Sequence, residues 1–150
     1  MTKIINPELI RWAKQADEID LNEVVRFLSE VHCTLSSEEY WTQGSSARDV
    51  RGENTMPDSY CASRWCLIGA LGKVWLDEDN GFLLKNRAQV VDLLDMQVVE
   101  RWPECPPTRS GYVSLANFND TFSYSEVYDL LDDTLKVLET EAKTRRKTNV

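Results

Sequence analysis

One histidine, His32, and four cysteines, Cys33, Cys61, Cys66 and Cys105, are all this chain of 150 residues carries of those two types. Four scattered thiols are too few for a disulfide scaffold. A four-ligand zinc site would have to use nearly every candidate at once, and Cys61 and Cys66 are too widely spaced for a zinc knuckle. The expectation is buried structural thiols and no metal. Also missing is any apolar run near the roughly 20 residues that span a bilayer, and Met1-Thr2-Lys3-Ile4 does not open a secretory leader. A cytoplasmic protein is expected. None of the six glycines builds a phosphate loop or a dinucleotide fingerprint, and no serine elbow is present, so no cofactor is expected.

Positive charge is scarce too. Lys and Arg number 17 against 25 Asp and Glu, a formal charge of −8, which disfavours direct nucleic-acid binding by counterion release. Much of that positive charge lies in Lys143, Arg145, Arg146 and Lys147, so the body before it is more acidic than the total. The segment 143–150 is expected to be a frayed, solvated helix end, where cations suit the helix dipole.

An apolar share of 42% beside a charged share of 28% supports one folded domain with a core. Asn6-Pro7 predicts a capped helix start, and Leu9, Ile10, Trp12, Ala13 and Ala16 give it a short apolar face ending near Glu18. Asp20 with Glu23 reads as a second start. Val24, Phe27, Leu28, Val31 and Leu35 then repeat at helical spacing.

From Ser36 to Ser59 the pattern vanishes into a polar, glycine-punctuated stretch. Loops this long are uncommon inside domains and tend to be functional or disordered, but Trp41 and Ala47 argue that this one packs. Tyr60 to Trp75 predicts a central helix, apolar nearly all round and therefore buried nearly all round. Gly69 and Gly72 inside it cost about 1 kcal/mol each against alanine, which close approach by a backbone or a ligand would repay.

Asp79-Asn80-Gly81 is a turn, and Asn86 is a candidate cap for a helix carrying Val90, Leu93, Leu94 and Val98 and stopped by Pro103. Pro106-Pro107 and Gly111 make a stiff connector. A short element, Tyr112 to Phe118, leads into Asn119-Asp120, and Ser123 with Glu126 opens the last helix as a capping box. The fold class is all-α: about five helices around a buried central helix, with one long ordered loop, in a single domain spanning 1–150.

Three stretches taken together carry a resemblance: Trp41-Thr42-Gln43-Gly44-x-x-Ala47-Arg48-Asp49-x-x-Gly52, Cys66-Leu67-x-Gly69-Ala70-Leu71, and Phe118-Asn119-Asp120. In order and spacing they resemble a family of small proteins from actinobacteria and their phages, a domain of unknown function. The likeness covers about Val24 to Leu138. It implies a shared fold and that kind of source, and it lends no activity. The chain departs from the family in an added N-terminal helix within 1–20 and a longer Leu76 to Pro107 region.

The polar members of these motifs allow two readings. Trp41, Gln43, Arg48, Asp49, Cys66, Asn119 and Asp120 would line a pocket if the three stretches converged, with Arg48 taking a phosphate or carboxylate bidentately. Equally, Arg48 and Asp49 would staple an irregular loop to the core while Asn119 and Asp120 tie down a turn, since buried polar groups need partners. A catalytic Cys66 would need a depressed pKa from a helix N-terminus or a histidine, and it is placed well inside a helix on the core face. Trp12 and Trp102 would be interface hot spots if exposed. The leading expectation is a non-enzymatic binding protein, phage-encoded and acting on a host or defence protein through an acidic surface. The alternative is a protein that binds or hydrolyses a small anionic metabolite or nucleotide around Arg48, Asp49 and Asp120.

Overall fold

Asn6 Oδ1 accepts the Glu8 amide and Pro7 occupies the first turn, which starts α1 (Pro7–Gln15) where the sequence predicts. The computed structural model describes residues 6–105 and 111–148. Within it α2 (Glu18–Thr34) is capped by Asp17, whose carboxylate accepts the Asp20 amide, so Asp20 belongs to the first turn and is not the cap. Glu23 is likewise free of capping. Its carboxylate crosses to the next layer and accepts from the Leu83 amide and from Asn86.

Four further helices follow among the described residues: α3 (Leu67–Leu76), α4 (Leu84–Arg101), α5 (Gly111–Thr121) and α6 (Tyr124–Thr148). The all-α class stands, with six helices instead of about five. The one sheet described is a pair of two-residue strands, β1 (Ala47–Arg48) and β2 (Arg64–Trp65), antiparallel with Ala47 opposite Trp65 and Arg48 opposite Arg64.

The expected central helix is shorter and less central than its apolar pattern suggests. Residues 60–66 form a turn and β2, and the helix begins only at Leu67. Their backbone groups are engaged elsewhere: the Trp65 carbonyl accepts the Thr42 amide, and the Cys66 amide donates to the Ser46 carbonyl. The centre of the molecule is α2, packed on α6, α4 and α3, while α6 also carries α1. Phe27, Leu28, Val31, Leu93, Leu94, Phe118, Leu130 and Leu138 are fully buried there, each contributing roughly 1.5–3 kcal/mol by leaving water.

Asn86 does not cap α4. That helix starts two residues earlier at Leu84, without a side-chain cap, and Asn86 is buried, donating to Asp20 and Glu23 of α2. The helix ends at Arg101, ahead of Pro103 as expected. Pro106-Pro107 lies outside the described residues, and Gly111 opens α5. Asn119 and Asp120 fall in the last turn of α5 and not in a turn beyond it. Ser123 and Glu126 form the predicted capping box, the Glu126 amide donating to Ser123 Oγ at 3.3 Å. The basic end differs from the expected fraying: α6 stays helical to Thr148, and Arg145 is docked on α1. Among the described residues no helix is long and apolar enough to cross a membrane.

Candidate functional site

The long loop between α2 and α3 is folded down on the N-terminal end of α3 and the C-terminal end of α5, and Asn119 is the hinge of that arrangement. It is fully buried. Its Oδ1 accepts the Leu67 amide at 2.9 Å and the Trp41 indole N–H at 2.7 Å. Its Nδ2 donates to the Thr42 carbonyl at 3.0 Å and to Asp120 Oδ1 at 3.1 Å. One side chain therefore satisfies an orphan donor of α3 and pins both the loop and its own helix.

Gln43 and Asp120 add to the same knot. Gln43 Nε2 donates to the carbonyls of Asn119 and Phe122, and Asp120 Oδ1 accepts the Gly44 amide at 3.0 Å. Gly44 has φ +77°, a left-handed conformation that glycine adopts without strain. Arg48 joins from the loop side. It donates to Thr42 Oγ1, to the carbonyls of Gln43 and Gly52, and to Asn54 Oδ1, all within 3.2 Å. Asp49 stays apart, its carboxylate accepting the Arg51 and Glu53 amides of its own turn.

Cys66 is the N-cap of α3, a correction to its expected place inside the helix, and its Sγ accepts the Gly69 amide at 3.2 Å. A helix N-terminus favours a thiolate. Burial outweighs that help and the contacts of the Gly69 and Ile68 amides, and nearby Asp120 adds to it, so the thiol is pushed above its ordinary value. It is a neutral acceptor. His32 sits half-buried on α2 with its Nε2 3.1 Å from Asp132 Oδ1, engaged with α6 and not with Cys66.

Thus Trp41, Gln43, Asn119, Asp120 and Cys66 converge, Arg48 borders them, and Asp49 does not join. Two residues outside the expected set also hold the loop: Ser46, whose carbonyl lies against Gly69, and Tyr124, whose hydroxyl donates to the Leu35 carbonyl at 2.6 Å. Gly69 signals the first, since the close backbone approach expected there is that of Ser46. Two of the four thiols expected to be buried, Cys33 and Cys61, are exposed. Trp12 and Trp102 are half-buried against the core. Trp102 packs on Phe118 and Phe122 and donates its indole N–H to Glu126. Among the described residues no group of three or more His, Cys, Asp or Glu side chains could hold a metal ion.

Three surface depressions lie away from this knot. One runs along the seam of α1 and α6, one is rimmed by Glu30, Asp58, Asp77 and Asp79, and one lies between α4 and α5 beside Arg87 and Tyr112. The same loop exposes three large apolar side chains, Val50 (88% exposed), Met56 (65%) and Tyr60 (100%), among exposed polar residues that include Arg51, Glu53 and Asp58. No curated protein and no solved structure matches the chain. A family model does match, over residues 20–137, and by that match the chain belongs to a family of unknown function, DUF6197.

Proposed function

We propose that this protein is a non-enzymatic binding module that presents the loop between α2 and α3 to a protein partner. The observation that carries the reading is a division of labour within that loop. Three of its polar side chains, Gln43, Arg48 and Asp49, are engaged internally, while Val50, Met56 and Tyr60 stand exposed beside the charges of Arg51, Glu53 and Asp58. Holding apolar side chains on an irregular but fixed backbone removes the ordering cost a flexible loop would meet on binding. Aromatic residues such as Tyr60 are the side chains on which interface energy concentrates.

The acidic balance supports a basic partner surface. Glu38, Glu39, Glu53 and Asp58 outnumber Arg51 and Arg64 among the exposed charges of this loop, and a net charge of −8 speeds encounter with a basic face. The resemblance to small proteins of actinobacteria and their phages adds the partner class, a host or defence protein. The alternative, an anionic small molecule on Arg48, is disfavoured because four of the five guanidinium N–H donors are already given to Thr42, Gln43, Gly52 and Asn54, so bidentate binding would break at least one of these bonds.

The test compares partner retention from lysate by the wild-type chain, by a Met56→Ser/Tyr60→Ala double variant, and by Ile19→Ala, a control on exposed α2 surface. Loss of a specific partner in the loop variant alone supports the reading. Equal retention by all three overturns it. The loop variant should keep its stability within about 0.5 kcal/mol, as surface substitutions do.

A further inference from the structure

The two terminal pieces outside the family match, α1 and the last turns of α6, meet each other. Arg145 on α6 donates from Nη1 to the Ala16 carbonyl at 2.6 Å and from Nη2 to the carbonyls of Ala13 and Lys14. These are carbonyls at the C-terminal end of α1, which lack a partner within the helix and carry the negative end of its dipole. Glu141, one turn earlier on α6, steadies the guanidinium from the other side, 3.5 Å from Nε. Leu138 and Ala142 share the face of Arg145 and are buried, as are Leu9 and Ala13 of α1.

The nine residues of α1 are too few for a helix that persists alone in water. The seam is also open along one side, where Ile10, Lys14, Val137 and Thr140 line a depression of about 460 Å³. At the far end a side-chain bond from Asn6 to Glu100 ties the start of α1 to α4. The start of α2 does not depend on any of this, because Asp17 caps it from its own side chain.

We propose that α1 is a latch: a helix that exists only while docked on α6, held there by Arg145, and that opens as a unit with the rest of the fold intact. Opening uncovers the Leu138–Ala142 stripe. Arg145 acts as a cap in trans, so the helicity of α1 and its docking are one event.

Native-state hydrogen exchange on the full-length chain tests this with wild type, Arg145→Ala and Arg145→Lys. In wild type the α1 amides should exchange ahead of those in the centres of α2 and α4. Arg145→Ala should speed α1 exchange on the order of ten- to a hundredfold, the size expected for lost hydrogen bonds from a charged donor, and leave α2 and α4 unchanged. Arg145→Lys should fall between. The latch is refuted if α1 exchanges with the slowest core amides, if Arg145→Ala speeds α2 and α4 as much as α1, or if it leaves α1 unmoved.

Discussion

Ser46 and Gly69 meet backbone against backbone: a Cβ placed on Gly69 would lie 1.7 Å from the Ser46 carbonyl oxygen. That same oxygen accepts the Cys66 amide at 3.2 Å, so it cannot retreat without breaking the seat of the loop on α3. Gly69→Ala should therefore destabilise the protein by about 3 kcal/mol or more, the upper range of overpacking. Gly72 has only Pro57 nearby, at 3.8 Å, and Gly72→Ala should gain up to about 1 kcal/mol from helix propensity. Urea denaturation of the two variants should show opposite signs.

Asn119→Ala removes an acceptor from the Leu67 amide and the Trp41 indole, and a donor from the Thr42 carbonyl. Each buried orphan costs about 1–3 kcal/mol, so a total loss near 3 kcal/mol or above is expected. Asn119→Asp keeps both acceptor contacts but sets a carboxylate against Asp120 and the Thr42 carbonyl. Its stability deficit should grow as pH rises and ease in acid, when the new group is protonated. Chemical denaturation across pH measures both effects.

Asp95 on α4 has a buried Oδ1 with no hydrogen-bond partner among the described residues. Burial holds its carboxyl above the ordinary value, with Asp92 adding to the effect and Ser114 opposing it. The folded state thus binds this proton more tightly than the unfolded chain. The associated stability is full below the unfolded value near pH 4 and is lost as pH rises through the folded value. Asp95→Asn should raise the unfolding free energy at neutral pH, by less than about 1 kcal/mol after solvent screening, and should not raise it in acid.

The four thiols should separate into two pairs. Cys33 and Cys61 are exposed, whereas Cys66 and Cys105 are buried and pushed by burial above the ordinary thiol range. A thiol-reactive probe at pH 8 should label the first pair in the native protein and reach the second only as the chain unfolds. Mass spectrometry of labelled peptides gives the outcome, and rapid native labelling of Cys66 would contradict its assignment as a buried cap.

What could be read in the sequence was local. Asn6-Pro7 and Ser123 with Glu126 act within four residues of themselves, and their helix starts fall where predicted. The errors came where a distant partner decided. The stretch from Tyr60 to Cys66 is predicted to continue α3, but Arg64 and Trp65 pair with β1 and bonds from Trp65 and Cys66 to Thr42 and Ser46 keep it out of the helix. Asn86 has a capping residue's chemistry but finds two carboxylates on α2 instead. Asn119 looked like a turn former, and its work is to join three segments far apart in the chain.

The turn at Asp49 closes on itself, with the Asp49 amide on the Glu53 carbonyl and the Gly52 amide on the Asp49 carbonyl. Val50 and Arg51 are the two central residues of that clasp, and the bonds that close it run between backbone groups and the Asp49 carboxylate, so replacing the Val50 and Arg51 side chains leaves them in place. These two side chains can therefore be exchanged at little thermodynamic penalty, and an engineer can attach a fluorophore at either position.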